Sequence, residues 1–436
     1  MRASLARFVD EIGYEEAGEL SRDYEPALAL LRSQGRPRAL RFTVRGSEAV
    51  AVGNVADTRE KVVRALGSSN VKEAYRKLLS AISNPRALTY VGQPDMRSAS
   101  RGLLSLPAVK FYERDGGYYL TSGIFVACYD GVCNASVHRI MVLDERRGAV
   151  RLVPRHLWYL YQRARSRGES LPVTVILGVH PAVLLAAASP APLGVFELEI
   201  ASSLLGGLEV FRSPLHGNPV PIGSAAVIEG YLTGELVDEG PFVEAMGGYD
   251  RVRKQPVLEV KRVDLTPDEP VHVILPGGFE HGLLMGFPRE ASIWEAVSKV
   301  VPEVVDVMLT PASGHWLHAV ISIRKSHDGD PKNAIMAAFA AHPSLKHVVI
   351  VDDDIDVGDP QQVEWAIATR FQADRGLVVV TGARGSTLDP SSLEDGMTTK
   401  VGIDATKPLN ADMRFERARI PDPGRTKADI MGKTNR

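Results

Sequence analysis

Residues 346–371 read KHVVIVDDDIDVGDPQQVEWAIATRF, and this stretch decides the fold class. A β-branched apolar run ends in aspartates and a Gly-Asp-Pro turn, and a helical pattern follows. The neighbouring segments repeat the alternation. SIWEAVSKVVPEV reads as helix, HWLHAVISIRK as strand, PKNAIMAAFAAHP as helix and GLVVVTG as strand. Such alternation argues for an α/β unit with helices packed on a sheet, spanning 291–436. The polar, Pro- and Gly-bearing tail after Thr406 is expected to be extended or draped over a partner surface. Asp352, Asp353, Asp354 and Asp356 repel one another, so a cation, an arginine or solvent must compensate them. Acids at the carboxyl end of a strand can hold a divalent metal or a ribose. The plainer reading is a turn that caps the helix near Pro360.

Upstream, the pattern changes. Between 105 and 290 the chain reads as strands, among them GGYYLTSGIFVACYD, CNASVHRIMVLD, LPVTVILGV and PIGSAAVIEGYLTGE, interrupted by the helix-like PAVLLAAA. The block 1–104 carries helical periods such as TREKVVRALGSSNVKEAYRKLLSAI and ends in a Pro- and Ser-bearing stretch. The 436 residues are 44% hydrophobic and 24% charged, which suits a soluble protein of two or three domains. A net charge of -2 gives no electrostatic case for nucleic acid or an anionic membrane. No apolar run approaches the roughly 18–20 residues that span a bilayer. The basic start MRASLARFVDEIGYEEAGEL soon turns acidic and reads as an ordinary first helix, not a leader. Cys128 and Cys133 are too few for a disulfide framework and lack a second pair for zinc, so a reduced, cytoplasmic setting is the default.

Three short stretches carry candidate chemistry. GVCNASVHRIMV gathers Asn134, His138 and Arg139; a buried arginine there needs an anionic partner, whereas an exposed one needs none. His156 opens an aromatic helix face, a place where histidines are usually structural. VDEGPFVEAMGGYD (237–250) holds Glu239 and Glu244 on either side of Gly240-Pro241. A straight strand would send them to opposite faces, but the Gly-Pro bend allows them to converge. Two acids beside an arginine can separate in pKa, one staying ionised and one holding a proton. The competing reading is a surface turn facing water.

Taken in order, these elements resemble the UbiD family of reversible decarboxylases, which use prenylated FMN. NASVHR (134–139) resembles the family's N-x-x-x-x-R element, and FELEIASSLLGG (196–207) its E-x-x-x-A-G-x-L segment. EGPFVE (239–244) is similar to E-G-P-[FY]-G-[ED]. IVDDDIDVGDPQQVEWAIATR (350–370) and KVGIDAT (400–406) match two C-terminal stretches. The resemblance implies a small N-terminal α/β domain, a central split β-barrel holding the flavin, and a C-terminal α/β oligomerisation domain. It implies that Glu244 donates the proton that replaces CO2, that Arg139 grips the substrate carboxylate and that Glu239 holds Arg139. Burial would then have to raise the Glu244 pKa. Manganese bridging the cofactor phosphate would be held by Asn134, His156 and Glu197, with potassium beside it; Glu199 is a rival to Glu197. Val137, His138 and Arg139 would contact the flavin, with Pro154 and Lys400 as further cofactor contacts. The aspartates at 352–356 become structural or interface residues. Implied partners are a carboxylic acid substrate, a flavin prenyltransferase as cofactor supplier and further copies of the chain, as dimer or hexamer.

The sequence departs from the family at Val243, usually Gly, and in AMGGYD after it. These changes, with the compact length, look like the archaeal branch, which implies decarboxylation of trans-anhydromevalonate 5-phosphate to isopentenyl phosphate. An aromatic acid such as a (polyprenyl) 4-hydroxybenzoate is the alternative substrate. A flavin-binding or assembly protein without turnover is the competing reading from another class.

Overall fold

A computed structural model describes residues 4–393 and 395–418. Its centre is a closed six-stranded barrel. The strands are β1 (Tyr118–Tyr129), β2 (Val132–Val142), β3 (Arg147–Val150), β4 (Leu171–Leu177), β5 (Ala226–Glu239) and β6 (Arg253–Leu265). Their order is β5-β4-β1-β2-β3-β6, and β5 pairs with β6 to close the ring. Closure removes the free edges that an open antiparallel sheet would expose. Helix α1 (His156–Ser166) lays Leu157, Leu160, Tyr161 and Ala164 on the same apolar cluster as Phe125, Val175 and Leu258 of the barrel.

Strands β1 and β2 meet through Asp130 and Gly131, both at positive φ, the two-residue turn that matches strand twist. That register sets Cys128 opposite Cys133, Cα atoms 4.0 Å apart, and the two are joined as a disulfide. The expectation of two reduced thiols is corrected here; spacing along the sequence does not reveal cross-strand register.

The N-terminal block contributes a sheet of Tyr14–Leu20, Ala39–Val44 and Val50–Gly53, completed by Val271–His272 from far downstream. The first helix is short, Leu5–Ile12. Helix α2 (Glu197–Leu205) packs beside the barrel. Helix α3 (Phe279–Val297) runs across residue 290, so the blocks drawn at 105–290 and 291–436 share one helix. Its last turns lend Ile293 and Val297 to the core of the C-terminal sheet.

That sheet has the order β7-β8-β9-β11-β10, from β7 (Glu303–Leu309), β8 (His318–Arg324), β9 (His347–Asp352), β10 (Leu377–Arg384) and β11 (Met397–Ala405). Helix α4 (Asp330–Ala341) and helix α5 (Pro360–Arg370) pack on it. The acidic run is answered by arginines. Arg370 bonds Asp352 at 2.6 Å and clamps both oxygens of Asp354 at 2.9 and 2.7 Å, while Arg324 meets Asp353. Asp359 caps α5 by accepting from Gln361 N–H, with Pro360 in the first turn. Arg370→Met leaves Asp352 buried without its partner. We expect it to destabilise the chain by about 3–5 kcal/mol, read as a lowered denaturant midpoint. Of the tail after Thr406, residues 419–436 lie outside the described residues. In the described part of the tail, the Phe415 carbonyl accepts from Arg370.

Burial holds His180, His315 and His318 at a pKa of about 4 and His342 at about 3, against 6.5 when free. His180 accepts from Ala182 N–H, a role that requires the neutral ring. The unfolded chain therefore binds more protons between pH 4 and 6.5. The stability that these four neutral rings contribute is fully present above about pH 6.5 and is lost as pH falls toward 3–4. An unfolding titration flat across that window would contradict this.

Candidate active site

Arg139 lies on β2 with its side chain nearly buried. Glu239 ends β5 with no exposed surface. The carboxylate of Glu239 accepts from Arg139 Nε at 2.8 Å and from Nη2 at 2.9 Å, a bidentate fork. Glu244 accepts from Nη1 at 2.8 Å. The chain reverses at Gly240-Pro241, which are joined by a cis peptide. Gly116 pins this bend: its N–H bonds the Pro241 carbonyl, and a Cβ there would lie 2.1 Å from the Gly240 oxygen. The turn at Gly247 and Gly248 closes on the Glu244 backbone at 2.8 and 2.9 Å. The expected convergence of the two acids is what the folded chain has. Burial works against the Arg139 cation, but Glu239 and then Glu244 outweigh it, and the guanidinium is held more firmly protonated than usual. Phe242 lies beneath it, 4.2 Å from the ring centre. Val243, the departure from the family pattern, is buried against the backbone turn at Gly277.

A second cluster forms where β2 meets the starts of α1 and α2. Glu197, in the first turn of α2, is buried and accepts from Asn134 Nδ2 at 2.9 Å and Ala135 N–H at 2.7 Å. His156 Nδ1 stands 3.7 Å from the same carboxylate. Asn134, His156 and Glu197, 63 residues apart at the extremes, are thus brought together. Glu199 is not; it faces a groove beside Arg212 and the disulfide. An amide, an imidazole and a buried carboxylate form a donor set that fits a hard or borderline divalent cation. No lysine or arginine pairs with Glu197 among the described residues, so such a cation would also balance its charge.

His138 uses its ring inside the protein. Nε2 meets Ser136 Oγ at 2.9 Å, Nδ1 meets the Arg151 carbonyl at 3.0 Å, and burial pushes its pKa down to about 4. Its backbone, with that of Val137 and Arg139, forms the strand between the two clusters. Pro154 sits exposed in the link that leads to His156. Lys400 lies in the C-terminal unit. It is buried on β11, and its ammonium donates to the Pro343 and Leu345 carbonyls inside the C-terminal unit.

Sequence reading missed three neighbours. Tyr119 stacks on Phe242 with ring centres 4.4 Å apart, and burial beside Glu239 pushes its pKa up. Arg151 is tied to Asp250 at 3.5 Å, close enough for both Arg139 and Glu244 to bear on it. His281, in the first turn of α3, has its pKa lowered by burial and lies near enough to feel the charges of Glu244 and Arg139. The signal for His281 was a polar residue just before the apolar run GLLMGFP, legible once α3 is known to begin at Phe279.

A closed barrel here holds an arginine between two glutamates and, where the same strand meets two helix starts, gathers an amide, an imidazole and a buried carboxylate. The 3-octaprenyl-4-hydroxybenzoate carboxy-lyase Rift-related domain matches residues 91–279, and the C-terminal domain of that carboxy-lyase matches 282–405. The chain belongs to the UbiD family of carboxy-lyases. It is similar to anhydromevalonate phosphate decarboxylase of Aeropyrum pernix, with 56% identity over 96% of each chain. The enzyme of that name from Methanothermobacter thermautotrophicus is 44% identical over 95% of this chain and 99% of its own. Among solved structures, the UbiD-class enzyme HmfF from Pelotomaculum thermopropionicum in complex with FMN superposes with a TM-score of 0.90. It is 38% identical and covers 96% of this chain and 97% of its own. An evolved dimeric form of HmfF in complex with prenylated FMN has a TM-score of 0.87 and 35% identity, over 97% of each chain.

Proposed function

We propose that the protein is a prenylated-FMN-dependent decarboxylase that converts trans-anhydromevalonate 5-phosphate to isopentenyl phosphate and CO2. The observation that carries the reading is the Arg139 guanidinium held on three nitrogens by Glu239 and Glu244. The names borne by relatives at 44–56% identity support the substrate. Asn134, His156 and Glu197 would hold Mn2+, with K+ beside it, against the cofactor phosphate. The backbone of Val137 to Arg139, with Pro154, would line the flavin. A flavin prenyltransferase would supply the cofactor. The setting is the cytoplasm of an archaeon, and the active form is a homo-oligomer.

When bound, prenylated FMN supplies the electron sink that no side chain offers. The residues do the rest. Glu239 fixes two of the three donor nitrogens of Arg139 and leaves Nη1 facing Glu244. An incoming substrate carboxylate competes for Nη1 and displaces Glu244. One guanidinium cannot balance three carboxylates in a site short of water, so Glu244 takes up a proton as it is displaced. That proton is then in place to replace CO2 on the product carbon. CO2 leaves neutral, and the Arg139–Glu239 pair returns to balance with Glu244 ionised.

The test is to load the protein with prenylated FMN, Mn2+ and K+ without oxygen and add trans-anhydromevalonate 5-phosphate. Isopentenyl phosphate in the mass spectrum supports the proposal. A mature cofactor with no such product, and CO2 released from a hydroxybenzoate instead, refutes the substrate. For the metal, Glu197→Gln should weaken Mn2+ binding by about 10–100-fold, followed by electron paramagnetic resonance. Unchanged affinity would move the metal elsewhere.

A further inference from the structure

Arg139 is held by its edges and by one face. Along the edges, Nε and Nη2 meet Glu239, and Nη1 meets Glu244. The fork to Glu239 fixes the guanidinium within its own plane but leaves it free to tilt about the fork. In the proposed turnover, Glu244 gives up Nη1 when the substrate carboxylate arrives. At that moment the fork is the one ion pair that persists, and a contact of another kind has to stop the tilt.

The face supplies that contact. Arg139 Cζ lies 4.2 Å from the centre of the Phe242 ring, well inside the roughly 6 Å over which an aromatic face attracts a cation. The Arg139 side chain is 10% exposed, and the attraction strengthens as water is excluded. Phe242 is itself buried and backed by Tyr119, with ring centres 4.4 Å apart and ring planes inclined at 51°. Tyr119 is fixed at both ends. Its backbone exchanges hydrogen bonds with Val109 at 2.9 and 3.1 Å, and its hydroxyl donates to Met141 Sδ at 3.3 Å. Val109, Tyr119, Met141 and Phe242 belong to one buried apolar cluster. Two rings therefore form a column that stands on the core and ends at the guanidinium. The upper ring lies between the two acids in the chain, so the segment that carries Glu239 and Glu244 also carries the support of the arginine they share.

We propose that Phe242, backed by Tyr119, is a positioning residue whose ring face keeps Arg139 level with the Glu239 fork while Glu244 is displaced, so that Nη1 stays aimed at the substrate carboxylate. The proposal rests on the decarboxylase reading of the site. It assigns Phe242 a task that packing alone does not perform, because an aliphatic side chain of similar size fills the space but offers the cation no face.

The test replaces Phe242 with phenylalanines that bear one, two and three ring fluorines. These nearly keep the shape of the ring and drain electron density from its face. In the cofactor-loaded enzyme, KM for trans-anhydromevalonate 5-phosphate should climb with each fluorine, to about 10-fold at three, while kcat changes far less. Phe242→Leu should raise KM by about 30-fold, the range of a desolvated cation–π contact, and the fluorine series decides the matter should that variant fail to fold. A second readout needs no substrate. The denaturant midpoint of the loaded enzyme should fall along the same series, and the fall should vanish when Arg139→Met and Glu239→Gln are also present. Fluorine makes the ring more apolar, so a ring that only packs gives a level KM and a level or rising midpoint. That result in an active enzyme overturns this proposal alone. A loaded wild-type enzyme that decarboxylates neither the phosphorylated acid nor an aromatic one overturns the functional reading, and this proposal with it.

Discussion

Glu244→Gln should turn substrate over at least about a thousandfold more slowly while keeping its flavin. The amide can still accept from Arg139 Nη1 as the carboxylate does at 2.8 Å, so the loop around Gly247 keeps its shape. What it cannot do is carry an acidic proton. The discriminating readout is a pair of measurements: single-turnover rate and flavin absorbance. A normal rate would remove Glu244 from the proton path. A lost flavin would show that the residue builds the site and does not work in it.

Arg139→Ala should be worse on both counts. Glu239 has no exposed surface, and both its oxygens bond Arg139. Truncation strands a buried carboxylate, at about 3–5 kcal/mol of stability. It also removes the group that binds the substrate carboxylate, so activity should fall below detection. The double variant Arg139→Met with Glu239→Gln is the control. Removing both charges should restore much of the denaturant midpoint without restoring any turnover. If the double variant is as unstable as Arg139→Ala, the stranded charge is not the cause.

Much of this site could be read from the chain because its parts are local. EGPFVE carries two acids and the bend that brings them together within six residues, and β2 carries Asn134 and Arg139 on one strand. Of the acidic run, Asp352 and Asp354 meet Arg370, which closes the helix that the same stretch begins. What could not be read is pairing over long sequence distances. Nothing near Lys400 announces the carbonyls of Pro343 and Leu345 that hold it. Glu280, on α3, finds its N–H partners at Asn54, Val55 and Ala56, more than 220 residues away. The Val271–His272 strand is too short to be recognised without the N-terminal sheet that it completes.

Helix α3 also acts as a lever. Its 19 residues make a rod about 28 Å long, with His281 at the catalytic end and Ile293 and Val297 bolted into the C-terminal sheet. A tilt of about 5° at the bolted end would swing the free end by roughly 2.5 Å over that length. Misplacement by as little as about 1 Å can cost a hundredfold in rate. The seating of the C-terminal unit is therefore a term in catalysis, although none of the proposed catalytic side chains resides there. Pro288, midway along the rod, gives up one backbone hydrogen bond and is where such a rod is weakest.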